Sequence, residues 1–144
     1  MRLEEALPLI EAAFSHGASF RFYPRGTSML PMPRQGIDSV SIVSPSVREP
    51  KVLDVILYRR ANGAFVLHRA VKKDGEGAFV CSGDNQTVLE YGVSRESIIG
   101  VLDGYFKDDK WISADDAAYQ RYVKKRVRGL WLRRLKTNLR NVIK

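Results

Sequence analysis

Ser28 is the residue whose type and setting best suit chemistry. It lies in Gly26-Thr27-Ser28-Met29-Leu30-Pro31, directly after Ser19-Phe20-Arg21-Phe22-Tyr23, whose alternate aromatics read as a strand. Pro24 and Gly26 break that run and force a turn. A serine on a tight turn after a strand holds its hydroxyl clear of the backbone. Its own N–H is then free to face a substrate carbonyl, which is what a nucleophile with an oxyanion hole requires. A Gly/Ser/Pro turn without chemistry is the plainer alternative. A hydroxyl alone is a poor nucleophile and needs a base within about 2.6–3.2 Å. His68 is the candidate, in the middle of the strand-like run Val66-Leu67-His68-Arg69-Ala70-Val71. An unperturbed imidazole, with a pKa of about 6.5, takes and returns a proton near neutral pH. Strand alternation points His68 away from Leu67 and Arg69, which permits it to face a cleft; a purely structural histidine is the alternative. His16 falls near a helix end, where a cation suits the dipole, and no catalytic role is expected of it. An imidazole base is commonly oriented by an acid. An acidic turn, Ser82-Gly83-Asp84-Asn85-Gln86, follows His68, and its plain reading is an Asx-type turn.

The order of these stretches carries more than any one of them. Gly-x-Ser-Met-x-Pro comes first, then Asp-Val-Ile-Leu-Tyr from Asp54 to Tyr58. His-Arg, Gly-Asp-Asn, and Ile-Ile-Gly from Ile98 to Gly100 follow. This series, from about Phe20 to Val101, resembles the type I signal peptidase and LexA-like serine peptidase superfamily. With histidine rather than lysine at the base position, it is most similar to the Ser-His branch of endoplasmic-reticulum and sporulation-type signal peptidases. The resemblance implies Ser28 as nucleophile, His68 as general base and Asp84 as the acid that orients or braces the site. Glu90 is a second candidate for that acid. Gly26, Thr27, Met29 and Pro31 would line the substrate cleft. Gly26 stands where many signal peptidases carry a serine that assists the oxyanion, and Leu53 stands where the family has the glycine of a Gly-Asp turn. The implied activity is that of a serine endopeptidase-like hydrolase acting on an extended peptide or precursor. A catalytically inactive peptide-binding module of the same fold and a self-cleaving regulator are the alternatives.

Placing these residues requires a small, mostly antiparallel, coiled β-sheet, as evenly spaced strands and Gly-rich turns predict. Strands are expected near 19–23, 37–43, 52–58, 64–71, 78–82 and 98–106, with a last one at Trp111-Ile112. Hairpin turns fall at Asn62-Gly63, Asp74 to Gly77 and Lys107 to Lys110. Ser39 and Ser41 are expected to face solvent. The strand 52–58 is apolar almost throughout and should be buried on both faces. Leu3, Leu7, Ile10 and Phe14 predict a helix from Leu3 to His16 with Gly17 as its C-cap, Pro8 being the awkward residue. Ser113 is read as the N-cap of a terminal helix, with acids in its first turn. The fold class is therefore mainly β of the signal peptidase/LexA-like type. Residues 1–112 form the catalytic domain with its N-terminal helix, and 113–144 form a basic amphipathic helix.

Charge sets that last segment apart. The chain of 144 residues carries a net charge of +8. From Ala117 to Lys144 there are ten Lys or Arg and no Asp or Glu, leaving 14 basic and 16 acidic residues before it. Tyr119, Val123, Val127, Leu130, Trp131, Leu135, Leu139 and Val142 recur there at helical steps, with Gly129 a possible interruption. Three partners fit such a helix: an anionic membrane surface, the domain itself or a second copy in a homo-oligomer, or, least well for want of any recognition motif, a nucleic acid. One cysteine and two separated histidines give neither a disulfide framework nor metal-ligand spacing, and no cofactor motif appears. With no long apolar run, the expected location is cytoplasmic, peripheral at the membrane face.

Overall fold

The computed structural model describes residues 3–24, 29, 34 and 37–143. The chain forms a mainly antiparallel, open β-sheet between an N-terminal helix, α1 (Leu3–Ser15), and a C-terminal helix, α2 (Ala117–Ile143). The described strands are β1 (Phe20–Phe22), β2 (Ser39–Val43), β3 (Val55–Arg59), β4 (Phe65–Lys73), β5 (Phe79–Ser82), β6 (Glu90–Val93), β7 (Ile98–Lys107) and β8 (Lys110–Ser113). Their order is β1-β2-β7-β3-β4-β5-β6, with β8 folded back on β7. α1 ends as its Gly17 predicts. Gly17 adopts φ +73°, its N–H donates to Phe14 O, and the Ala18 N–H donates to Ala13 O, closing a Schellman motif. Pro8 sits inside the helix without ending it.

The two faces of the sheet are covered differently. On one, Ile56, Tyr58, Val66, Ala70, Phe79, Cys81, Val93, Ile98 and Val101 form a single buried cluster. Val93 belongs to β6 and Val101 to β7, which lie four places apart in the sheet, so the sheet coils until its own side chains close this face. On the other face, Ala6 and Ile10 of α1 pack on Ile42 and Leu57. Tyr119 and Val123 of α2 pack there on Val40, Val55, Leu102 and Tyr105, and Leu130 packs on Val71 and Val80.

Three expectations change. Ser39 and Ser41 are buried, not solvent-facing. The Arg21 guanidinium lies 3.9 Å from the Phe106 ring centroid, and its Nε donates to Ser39 Oγ at 2.6 Å. The Trp111 ring lies across Gly104, the cross-strand partner of Ser41. The third strand begins at Val55, because Leu53 turns with φ +82°. Ser113 ends β8, and the α2 cap is Asp116, whose carboxylate accepts the Tyr119 N–H at 2.9 Å.

Gly104→Ala tests the closure over Ser41. A Cβ there would stand 2.6 Å from the Ile112 carbonyl oxygen as well as against Trp111. Urea unfolding should show a loss of about 2 kcal/mol or more, while Gly75→Ala, in open space, should stay within about 0.5 kcal/mol of wild type.

Candidate active site

β4 places two chemically different neighbours on opposite faces of the sheet. Arg69 pairs across from Val55 and Ser82, and His68 pairs across from Ile56. Successive strand residues alternate, so Arg69 points toward α2 and His68 toward the helix-free cluster.

Arg69 is 1% exposed, and a guanidinium so placed is tolerable only when its donors are met. Its Nε and Nη2 donate to the two oxygens of Asp84 at 2.8 and 2.7 Å, a bidentate pair. Nη2 also donates to Tyr119 Oη at 3.1 Å, and Nη1 donates to Leu53 O at 2.8 Å. Asp84 and Tyr119 overcome the burial and hold the arginine firmly in its charged form. Four elements thus meet on one side chain: β4, the 83–85 turn, the 51–54 turn and α2. Leu53 takes a backbone conformation that suits glycine. Its N–H donates to Ala70 O at 2.7 Å, so both of its backbone groups are tied to β4. The Asp84 carbonyl accepts from Arg126 Nη2 at 2.7 Å, and the Asp84 N–H points at Met29 Sδ at 3.4 Å. Met29 is buried in the same cluster as Val55 and Tyr119. Just before β2, Arg34 Nε and Nη2 donate to the fully buried Asp38 carboxylate at 2.9 and 2.8 Å.

His68 has different company. Its ring lies edge-on to Tyr58, with centroids 6.4 Å apart. Its Nδ1 is buried and has no hydrogen-bond partner among the described residues. Burial pushes the imidazole below its ordinary pKa, and Arg60 adds to that, against the weaker opposing pull of Glu90 and Asp84. The ring is therefore neutral at pH 7 and able to accept a proton. The Tyr58 hydroxyl donates to Glu90 Oε1 at 2.9 Å, and Arg60 Nη2 donates to the same oxygen at 2.9 Å. Arg60 holds the Glu90 carboxyl below the usual carboxylate range. On the same face, burial pushes the Cys81 thiol up to about 12.

The two candidate acids are thus placed elsewhere than against the imidazole. Asp84, expected to orient His68 or brace the site, gives both oxygens to Arg69 on the opposite face. Glu90 is occupied by Tyr58 and Arg60. Gly26, Thr27, Ser28 and Pro31 lie outside the described residues. Sequence reasoning gave no role to Arg69, Tyr119 or Arg126. An arginine amid apolar strand residues, with an acidic turn 15 residues on, was the available sign of a buried pair.

Among the described residues, no strand pairs with the β5-side edge of β4 beside His68. β5 pairs with β4 only from Arg69 to Lys73. On the other side, Ala70 N–H bonds Asp54 O and Arg60 N–H bonds Ala64 O, so the even-numbered β4 residues turn their backbone groups to β3. Phe65 and Leu67 therefore direct theirs to the side where no strand lies among the described residues. No protein-family model, curated protein or solved structure matches the chain.

Arg69→Met leaves Asp84 buried without its cation and should cost about 3–5 kcal/mol in urea unfolding. The double variant Arg69→Met/Asp84→Leu should cost clearly less than the sum of the two single variants. His68 has its own pH signature. Its native pKa is depressed, so its contribution to stability is present above pH about 6.5 and lost as pH falls through the native value. The stability gap between wild type and His68→Gln should therefore shift against wild type between pH about 7.5 and about 5.

Proposed function

We propose that the protein is a serine endopeptidase-like hydrolase of the signal peptidase/LexA-like type, with Ser28 as nucleophile and His68 as general base. The observation that carries this reading is the convergence on β4. Met29, the neighbour of Ser28, seats on the Gly-Asp-Asn turn, and that turn is bound to Arg69, the neighbour of His68. Three motifs far apart in the chain thus meet at one end of one strand. Beside them is a neutral, buried imidazole whose Nδ1 has no partner among the described residues, at a point where no described strand pairs with the edge of β4.

An extended peptide would add along Phe65–Leu67, taking its backbone hydrogen bonds from that edge. The Ser28 oxygen attacks the scissile carbonyl as its proton passes to His68. The Ser28 N–H, in an oxyanion hole, meets the charge that develops on the carbonyl oxygen. His68 then returns the proton to the leaving amine, and the same exchange with water releases the acyl group as a carboxylic acid. The depressed pKa of His68 keeps the base form populated across neutral pH.

A second reading, a peptide-binding module without turnover, is favoured by one observation: His68 and Met29 lie on opposite faces of the sheet, and no acid bonds the imidazole. A library of extended peptides separates the two. Under the first reading, Ser28→Ala and His68→Gln each lower cleavage by about 10³-fold or more while peptide binding persists. The wild-type rate should then decline only below pH about 6.5. Equal cleavage by wild type and Ser28→Ala would end the peptidase reading, and binding without cleavage would establish the second.

A further inference from the structure

α2 carries two apolar faces that point in nearly opposite directions. Tyr119, Val123, Val127 and Leu130 face the sheet. Trp131 follows Leu130 by a single residue, and the apolar positions after it start from that shifted register. At about 100° per residue, Leu135 lies about 140° round the helix from Leu130, Leu132 about 160° and Leu139 about 180°. The exposures agree: Leu132, Leu135 and Leu139 are 53%, 54% and 52% exposed. Among the described residues, the most C-terminal bond from α2 to the domain is Arg134 Nη1 to Thr87 O, and residues 135–140 are all exposed. No rotation of the helix puts both faces on the domain at once, so the second face is built for something else.

We infer that this second face of α2 docks the protein on an anionic lipid surface. Charge selects the occupant. Arg133, Lys136 and Arg140 border the stripe along one flank, and no carboxylate occurs in the helix. A second copy would bring an equally cationic helix against the first. A nucleic acid backbone would meet leucines where it needs cations. A bilayer of anionic lipid satisfies both features at once: the leucines enter the acyl boundary and the long basic side chains reach headgroup phosphates. The shoulder where the helix leaves the domain continues the surface. Lys72 Nζ sits between the rings of Trp131 and Tyr91, 5.5 and 5.7 Å from their centroids, and Val88 nearby is 73% exposed. Aromatic rings beside a lysine are the side chains that settle at the level of lipid headgroups. Among the described residues no helix is long and apolar enough to cross a membrane, so the contact is one of lying on the surface.

Flotation of the full chain with vesicles tests this without any substrate, independently of the peptidase reading. The chain should float with phosphatidylcholine/phosphatidylglycerol vesicles and far less with phosphatidylcholine alone. Replacing Leu132, Leu135 and Leu139 with Gln should weaken binding by about tenfold or more with thermal unfolding unchanged, and raising NaCl from about 50 to about 500 mM should weaken it also. In a Trp111→Phe background, Trp131 emission should shift to the blue on adding the anionic vesicles. Wild-type protein that fails to float at low salt would overturn the proposal. So would a triple variant that floats as well as wild type, or a concentration-dependent dimer that the triple variant abolishes.

Discussion

The ion pair between Arg69 and Asp84 is the contact on which the remaining architecture depends. Neither group could be buried alone, since an isolated charge in this interior would cost several kcal/mol. Together, with Tyr119 and the Leu53 carbonyl meeting the guanidinium donors left over, they close a node at which two turns and a helix are fixed to β4. The node also accounts for two local oddities. Leu53 holds a left-handed conformation because both of its backbone groups are taken by β4. α2 begins where Asp116 can cap it because Tyr119, one turn in, must reach Arg69.

A strand turns consecutive residues to opposite sides, and β4 uses this to separate two tasks. Arg69 is held charged by its partners and organises the helix-covered face. His68, one residue earlier, is held neutral by burial on the other face, near Tyr58, Glu90 and Arg60, which bond one another and leave its Nδ1 without a partner among the described residues.

Much of this was legible in the sequence, and the parts that were not share a cause. Hairpins at Asn62-Gly63 and Asp74–Gly77 were readable because glycine is nearly obligatory at the positive φ of Gly63 and Gly77. The Schellman end of α1 at Gly17 was readable for the same local reason. Ser39 and Ser41 were not, because what buries them, Arg21 and Trp111, comes from distant parts of the chain. Asp84 looked like a partner for His68 because of its Gly-Asp-Asn motif, and the order of motifs along a chain says little about the face of the sheet. The pattern from Tyr119 to Leu139 read as a single stripe. The one-residue step from Leu130 to Trp131 divides it in two, and only packing shows which half the domain keeps.

That step also divides the helix in its dynamics. Amides up to Leu130 are locked by side chains that belong to the sheet, so they open only when the domain does. Those in the exposed stretch 135–140 have only their own helical bonds to protect them, and an isolated helix of that length is marginal in water. Hydrogen exchange along this one continuous helix will run at two rates far apart, and whatever covers the leucines will be registered first as a slowing of the faster one.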